Sequence, residues 1–253
     1  MAGRLLLVPN ALDFGVIAPA QAPDLNDVLP LGVIRTAARL DHWVAENARS
    51  TRAFLKRVDA IVPLARPLQE ISIIELPRPA KGRPGPAVDP APLLAPALQG
   101  ADIGLISEAG LPAVADPGAT LVRAAHALGI VVTPLAGPSS LLLALAASGL
   151  NGQSFAFVGY LPVDAAERAG RIRELETLSR RTGQTQLMIE TPYRNEALLA
   201  ALLAHLQEAT RVSVSCALTL PGGFTRTDAV ERWKAVPTRL AADKPAVFAL
   251  LAG

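Results

Sequence analysis

Short apolar runs alternate with segments of helical periodicity along most of this chain, and that alternation restricts its fold more than any other feature. Strands and helices in such alternation are typical of βα units built around a parallel sheet. We predict strands at Arg4–Val8, His42–Ala45, Ile71–Leu76, Ile103–Ser107, Val131–Leu135, Phe155–Gly159, Gln186–Glu190, Arg211–Cys216 and Ala246–Leu251. We predict helices at Leu31–Leu40, Ser50–Val58, Ala91–Leu98, Ala119–Leu128, Ser139–Ala147, Ala165–Arg181, Asn195–Gln207 and Asp228–Ala235. The predicted fold class is therefore α/β.

The strand pattern changes near residue 150, at the glycine-containing segment Gly149–Gly152, which separates two halves of the chain. Upstream, strands separated by helices predict a doubly wound parallel sheet. Downstream, Arg211–Leu220 and the Pro-Gly-Gly turn that follows it predict a mixed sheet with hairpin-like edges. We predict two α/β domains, residues 1–150 and 151–253. The segment Pro77–Pro96, with seven prolines, is predicted to be an exposed loop that leads into a short helix.

The composition fits a folded protein and excludes two functional classes. Hydrophobic residues make up 51% and charged residues 18% of the 253 residues, which excludes intrinsic disorder. With 24 Lys and Arg against 22 Asp and Glu, the formal charge is only +2, so bulk charge alone does not bind nucleic acid. The sequence pI of about 9.0 still permits a local basic face.

Cysteine and histidine content argue against a disulfide and against a metal site. Cys216 is the only cysteine, and His42, His126 and His205 lie too far apart for metal-ligand spacing. The longest apolar stretch, Leu141–Ala147, is far shorter than the roughly 18 residues of a spanning helix. We expect a cytoplasmic protein without a metal centre and without a membrane segment.

Two loops that each connect a predicted strand to a helix contain the densest functional signals. The segment Leu105–Gly118 contains two glycines and two prolines. In open α/β sheets ligands bind where such loops leave the carboxyl ends of strands, and Gly110 lets a ligand approach the backbone closely. The segment Pro134–Ser140 ends in Ser139 and Ser140, whose hydroxyl and amide groups at a helix N-terminus suit polar ligand groups.

Charged and aromatic residues follow other predicted strands. Asp116 precedes Pro-Gly, a pattern typical of a helix start, so we interpret Asp116 taken alone as a helix cap. Glu46–Arg52 is either a substrate-orienting charge cluster or a capped helix with a surface ion pair. In Glu190–Arg194 an aromatic ring can stack and an arginine can hold a carboxylate or phosphate. The sequence contains no G-x-G-x-x-G after the first strand, no P-loop and no G-x-S-x-G.

Five segments, taken in order, resemble the tetrapyrrole methylase superfamily, and within it most closely the ribosomal RNA small subunit methyltransferase I family. They are Glu46–Arg52, Leu105–Gly118, Pro134–Ser140, Phe157–Pro162 and Glu190–Arg194. In that family these points typically read E-D-T-R-x-T, L-I-S-D-A-G-T-P-x-I-S-D-P-G, P-G-P-S, G-F-L-P and E-[AS]-P-H-R. The resemblance extends over almost the whole chain.

The resemblance implies a two-domain methyltransferase that holds S-adenosyl-L-methionine folded in a cleft between its domains, forms a homodimer and needs no metal. The N-terminal domain would provide the substrate side and part of the cofactor cleft, and the C-terminal domain would complete it. Carried over by motif, the implied cofactor contacts are Pro9, Ala109, Gly110, Leu111, Val114, Ser139, Ser140, Glu190, Ala217 and Leu218.

The implied acceptor is a ribose 2′-hydroxyl of ribosomal RNA in the small ribosomal subunit. A hydroxyl acceptor needs a group that manages its proton, and our candidate is Glu46, with Asn47 and Arg49 orienting substrate or phosphate. The chain departs from the family pattern at Asn47 and Glu108, where aspartate is usual, and at Tyr193, where histidine is usual.

Two alternatives to ribosomal RNA methylation stay open. In the first alternative the acceptor is a tetrapyrrole or another small molecule. This alternative predicts a closed apolar cleft, whereas RNA as the acceptor predicts an open site with a basic rim. Alternatively the chain binds the cofactor without catalysis, since its first loop, Val8–Gly15, contains fewer glycines than the family's usual segment.

Overall fold

The computed structural model describes residues 2–13, 24–77 and 89–253. They form two compact units, one that ends at Ser139 and one that begins at Ser140. The strands of the first unit are β1 (Arg4–Leu7), β2 (His42–Ala45), β3 (Ser72–Glu75), β4 (Ile103–Ile106) and β5 (Val131–Pro134). Its helices are α1 (Leu25–Val28), α2 (Leu31–Ala37), α3 (Ala48–Asp59), α4 (Ala95–Leu98) and α5 (Ala119–Ala127).

The first sheet has the strand order β3-β2-β4-β1-β5, and each neighbouring pair runs parallel. Alternate residues of a strand face opposite sides of the sheet, so each central strand contributes to two cores. Leu6 and Trp43 pack with α2 and α3, whereas Leu5 and Val44 pack with α4 and α5. Helices on both faces of a parallel sheet confirm the predicted doubly wound arrangement.

The second unit contains the remaining four helices and five strands of the described residues. These are α6 (Ser140–Ser148), β6 (Phe155–Tyr160), α7 (Ala165–Thr182), β7 (Thr185–Glu190), α8 (Asn195–His205), β8 (Arg211–Cys216), β9 (Phe224–Ala229), α9 (Val230–Ala235) and β10 (Ala246–Leu251). The sheet order is β6-β7-β10-β8-β9, with β6 and β7 parallel and the other pairs antiparallel. This is the mixed sheet that the sequence predicts.

Strand β9 differs from the sequence prediction, which begins a helix at Asp228. Most of its residues are polar and they contain no apolar run, so the local sequence pattern gives little indication of a strand. Pairing with β8 supplies the missing stabilisation, because the Thr225 and Ser215 hydroxyls lie 2.8 Å apart and Thr227 Oγ1 donates to Ser213 Oγ over 2.8 Å. The helix α9 begins two residues later than predicted.

Helix α6 belongs to the second unit, although the sequence prediction assigns it to the first domain. Its residues Leu141, Ala144 and Leu145 form one apolar cluster with Leu187 and Val247 of the second sheet. The helix therefore belongs to the unit whose sheet buries its apolar side chains, and the helix-ending glycine at Gly149 does not mark the boundary between the units.

The described residues also bear on membrane and metal binding. Within residues 2–13, 24–77 and 89–253, no helix is both long and apolar enough to span a bilayer, and no set of three or more His, Cys, Asp or Glu side chains is arranged around a metal position. Most of the predicted Pro77–Pro96 loop lies outside the described residues. Its described end forms a 3₁₀ turn at Ala91–Leu94 that leads into α4.

Candidate active site

The carboxyl ends of β2, β4 and β1 lie side by side, so the loops that follow these strands meet at one edge of the first sheet. Two of the loops are joined directly through their backbones. The Asn10 amide donates to the Gly110 carbonyl over 2.9 Å, and the Gly110 amide donates to the Asn10 carbonyl over 3.1 Å. Gly110, a predicted cofactor contact, is therefore held at the sheet edge by a residue that the sequence analysis missed.

The Asn10 side chain fastens the same two loops a second time. Its Nδ2 donates to the carbonyls of Ser107 (3.3 Å) and Glu108 (3.0 Å), and its Oδ1 accepts from the Ala11 amide (2.9 Å). These hydrogen bonds are shielded from water, since Asn10 is buried. A polar residue within three positions of a strand's carboxyl end, at the edge where ligands bind, is the sequence signal that identifies such a position.

Glu46 connects the end of β2 to the β4–α5 loop, which we define as Ser107–Gly118. Its Oε2 accepts a hydrogen bond from the Glu108 amide over 3.1 Å, and its own amide donates to the Ile106 carbonyl over 3.0 Å. The next residue along the loop, Ala109, is buried. The structure thus brings the predicted proton acceptor together with the predicted cofactor-binding segment.

Two carboxylates, that of Glu46 after β2 and that of Glu108 in the loop, act on the carboxyl of Asp116. Burial, followed by the negative charges of Glu46 and Glu108, raises the pKa of Asp116 from 3.8 to about 7. A hydrogen bond from the Ser107 hydroxyl lowers the pKa and so opposes part of this rise. A carboxyl with such a pKa is partly ionised near neutral pH, so it can accept or release a proton there.

The interpretation of Asp116 as a helix cap is wrong. Helix α5 has Gly118 at its N-cap, with φ of 132°, and among the described residues no side chain caps it. The local Asp-Pro-Gly pattern favours a cap, but the loop instead keeps this carboxyl half-buried beside two like charges. The chain thereby forgoes a capping interaction of about 1 kcal/mol, and such a departure is typical of a functional position.

Backbone strain is concentrated in the same loop. Ala113 and Ala115 have φ of 65° and 63°, beside Gly110 at 67°. Alanine avoids this region because its Cβ crowds the backbone, at a cost of about 1–2 kcal/mol. Between these residues, the Leu111 carbonyl accepts from the Val114 amide over 3.4 Å, and the Val114 side chain is exposed. Strain of this kind is typical of loops that shape a ligand site.

Pro9 packs tightly against the segment that follows β5. A Cβ added to Gly137 would lie 2.3 Å from the Pro9 Cβ, so position 137 accommodates glycine alone without a shift of the proline. A Cβ added to Gly110 would lie 3.5 Å from the Pro138 carbonyl oxygen. Ser139 follows and is buried. The predicted contacts Pro9, Gly110 and Ser139 are thus parts of one set of closely packed loops.

Asn47 and Arg49 lie at the start of α3. The Asn47 Oδ1 accepts from the amides of Arg49 (2.9 Å) and Ser50 (3.3 Å), so Asn47 caps the helix. An aspartate would cap the helix equally well, which explains how the chain tolerates its departure from the family pattern. The Arg49 side chain is exposed, three residues after Glu46.

Glu190 lies at one edge of the second sheet. The first residue of β10, Ala246, pairs with both Glu190 and Cys216, so the residues that follow β7 and β8 leave the sheet at the same edge. The Thr191 amide donates to Glu190 Oε1 over 2.8 Å, and an Arg194 nitrogen lies 3.1 Å from Glu190 Oε2. Glu190 is thus charge-compensated within its own unit.

The segment after β8 repeats the strained backbone of the first unit. Ala217 and Thr219 have φ of 52° and 65°. Leu218, between them, packs against the apolar cluster that includes Leu141 of α6, the helix that begins at Ser140. The structure therefore groups Ala217, Leu218 and α6 within the second unit.

The sequence of this chain matches a known family and several curated proteins. Residues 27–230 match the family described as Tetrapyrrole (Corrin/Porphyrin) Methylases. A Ribosomal RNA small subunit methyltransferase I from Halalkalibacterium halodurans is 32% identical over 180 residues, which cover 71% of this chain and 56% of that protein. A Ribosomal RNA small subunit methyltransferase I from Mesorhizobium japonicum is 39% identical over 134 residues, which cover 53% of this chain and 44% of that protein. The chain thus spans about half the length of these relatives.

A solved structure shares the fold. Uroporphyrin-III-C-methyltransferase from Thermus thermophilus aligns with a TM-score of 0.51 over 98% of this chain and 94% of that chain, at 18% identity. The family match covers most of the chain, including Glu46, the β4–α5 loop, Glu190 and Ala217. The doubly wound sheet, the mixed sheet and the strained loops at their edges agree with this match. The match shows that the chain belongs to the tetrapyrrole methylase family.

Proposed function

We propose that this protein is an S-adenosyl-L-methionine-dependent methyltransferase that modifies ribosomal RNA of the small ribosomal subunit, at a ribose 2′-hydroxyl. The observation with most weight is the match of residues 27–230 to the tetrapyrrole methylase family. The names of the two aligned relatives favour ribosomal RNA over a tetrapyrrole as the acceptor.

The sheet edge of the first unit fits a cofactor that joins a nucleoside to an amino acid. A Cβ at Gly110 would lie 3.2 Å from a Leu12 methyl carbon and 3.5 Å from the Pro138 carbonyl, so the backbone approaches closely there. The turned backbone at Ala113 and Ala115 supports main-chain hydrogen bonding to polar ligand groups. The residues that we propose to hold the cofactor are Pro9, Ala109, Gly110, Leu111, Val114 and Ser139 in the first unit, and Ser140, Glu190, Ala217 and Leu218 in the second.

When bound, the cofactor supplies a methyl group on a positively charged sulfur, which makes the methyl carbon electrophilic. The chain's own task is to align the acceptor and to receive its proton. In this proposal Arg49 binds an RNA phosphate, and Asn47 holds the helix turn that presents it. Glu46, the proton acceptor that we predict from the sequence, keeps one oxygen on the Glu108 amide.

Calorimetric titration with S-adenosylmethionine and S-adenosylhomocysteine tests the cofactor site. We expect micromolar binding of both by the wild type and loss of binding by Gly110→Trp, whose ring would fill the space beside Leu12. Gly129→Trp is the matched control, because Gly129 has a similar φ of 69° but no atom within 4 Å of its Cβ position. Wild-type protein that binds neither compound contradicts the proposal.

Transfer of a radiolabelled methyl group then identifies the acceptor. Small ribosomal subunits from a strain without this modification should accept label from the wild type, with the label in a ribose. Label in a uroporphyrinogen instead favours the small-molecule alternative. Tight cofactor binding with transfer to neither identifies a non-catalytic homologue.

We also propose that the protein is a cytoplasmic homodimer, which rests on the resemblance alone. Light scattering should then give about twice the chain mass of 26.4 kDa. A monomer mass at working concentration contradicts this part of the proposal.

A further inference from the structure

Helix α3 has one buried face and one exposed face. Its buried residues, which pack in the apolar cluster that also contains residues of α2, include Phe54, Leu55 and Val58. This packing fixes the rotation of the helix about its axis, so the same side chains always face solvent. Three of these exposed side chains are cations: Arg49, Arg52 and Lys56. Because they stand three and four positions apart, they form one line along the helix, which we call the α3 stripe.

No negative charge on the same helix compensates the α3 stripe. Its three cations form no ion pair with any of the residues that the structure describes. The only acid of α3, Asp59, is its last residue, and there it accepts from the Leu64 amide over 3.0 Å. At the other end of the helix, Glu75 of β3 accepts from the Ala48 amide over 2.8 Å. The cations of the stripe are therefore available to an external anion.

Other arginines on helices of this chain are paired with acids. On α7, Arg171 lies 3.2 Å from Glu174, one turn further along the same helix. On α3 itself, Arg57 is paired with Asp13 at 2.7 Å. Charges of both signs are the usual composition of a solvated helix face, and acids are favoured in a first turn. The first turn of α3 contains no acid and does contain Arg49. A line of cations of one sign is typical of a surface that meets an anionic partner.

The α3 stripe starts at the candidate site. Arg49 follows Glu46 by three residues, just after the carboxyl end of β2. Side chains of a helix lean toward its N-terminus, and Arg52 does so, since its Nη1 donates to the Ala48 carbonyl over 3.4 Å. From Arg49 to Lys56 the helix rises by about 10 Å, which is long enough for two or three successive phosphates of a nucleic-acid strand.

We infer that the α3 stripe is the surface on which the RNA backbone docks, with phosphates bound by Arg49, Arg52 and Lys56. The inference rests on the proposed methyltransferase function and deepens it, because it names the surface that binds the substrate. A strand that follows the stripe toward Arg49 arrives at the edge of the first sheet beside Glu46. Phosphate contacts of this kind position a nucleic acid and do not read its sequence.

Filter binding to unmodified small ribosomal subunits at several salt concentrations tests this inference. The double variant Arg52→Ala/Lys56→Ala loses two phosphate contacts, so the slope of log affinity against log salt should fall by about 1.4–1.8. The affinity advantage of the wild type over this variant should therefore shrink about tenfold between about 50 and about 200 mM salt. Arg123→Ala/Arg211→Ala, which removes the same charge from exposed positions of α5 and β8, should keep the wild-type slope.

Methyl transfer with the same proteins gives a second readout. Because the stripe binds RNA equally in the ground state and the transition state, Arg52→Ala/Lys56→Ala should raise the KM for the subunits and leave kcat unchanged. Calorimetry with S-adenosylhomocysteine should give both double variants the wild-type affinity, which shows that each is folded.

Three results overturn the inference. The first is a wild-type slope in Arg52→Ala/Lys56→Ala. The second is an equal loss of slope in Arg123→Ala/Arg211→Ala, which makes overall charge the cause. In these two cases the wild-type protein still methylates the subunits, so the proposed function stands. The third is wild-type protein that binds the cofactor but neither binds nor methylates small ribosomal subunits, and it overturns the proposed function together with this inference.

Discussion

The raised pKa of Asp116 affects stability as well as proton transfer. In the unfolded chain this carboxyl ionises near its ordinary pKa of 3.8, and in the folded protein near 7. Between these values the folded state keeps a proton that the unfolded state releases. The stabilisation that the protonated carboxyl contributes is therefore fully present below about pH 4 and is lost as the pH rises to about 7.

We expect Asp116→Asn to be more stable than the wild type at pH 8 by about 1 kcal/mol, a figure that allows for solvent screening of a half-buried group. The difference should shrink steadily as the pH falls from about 7 to about 4, because over this range the folded wild type keeps a proton that the unfolded chain releases. Thermal melts at several pH values, with Asp27→Asn as the charge-matched control, measure it. A difference that is the same at every pH contradicts the raised pKa.

At the scale of elements, the β4–α5 loop is held by residues from other loops. The Asn10 side chain, after β1, donates to the carbonyls of Ser107 and Glu108, and Glu46, after β2, accepts from the Glu108 amide. These contacts offset the backbone strain within the loop. The geometry of the candidate site therefore depends on the order of strands in the first sheet.

Removal of the Asn10 side chain should weaken both the fold and the site. Asn10→Ala removes the hydrogen bonds to the buried Ser107 carbonyl and the partly buried Glu108 carbonyl, and we expect the free energy of unfolding of the first unit to fall by about 2 kcal/mol. Cofactor affinity should fall as well. Urea unfolding followed by Trp43 fluorescence in a Trp233→Phe background measures the first unit, since Trp43 and Trp233 lie in different units. Asn26→Ala, at an exposed residue, serves as control. If the two variants are equally stable, the Asn10 side chain does not stabilise the β4–α5 loop.

The elements that the sequence predicts well are those with a local signal. The apolar run of β2 and the alternating valines of β8 give both strands their observed bounds, and Gly110 is recognisable from its place after a strand. Strand β9 has no such run and depends on its partner. Asp116 is mistaken for a cap because one of the charges that raise its pKa belongs to Glu46, 70 positions earlier, which the adjacency of β2 and β4 brings near. Only the tertiary arrangement supplies that information.

At the scale of the whole molecule, the near balance of charge limits what long-range electrostatics can do. With a formal charge of +2, the chain has little general attraction for RNA, so binding must depend on a few local cations. Exposed Arg49, beside the candidate site, is one of the cations that we propose for this role.

The salt dependence of RNA binding tests this expectation. For the proposed complex with small ribosomal subunits, Arg49→Ala should reduce the slope of log affinity against log salt by about 0.7–0.9, the loss of one phosphate contact. Filter binding at several salt concentrations measures the slope. Arg211→Ala, at the opposite end of β8 from Ala217, should leave the slope unchanged. An unchanged slope in Arg49→Ala contradicts the phosphate contact.

The contact between Pro9 and Gly137 also limits the routes by which this protein can evolve. Because a Cβ at position 137 would lie 2.3 Å from the proline ring, a substitution there is accessible only after Pro9 has changed or moved. The two positions, 128 residues apart, are therefore epistatic. Lineages that acquire new acceptors should alter the loops around this pair and keep the pair itself.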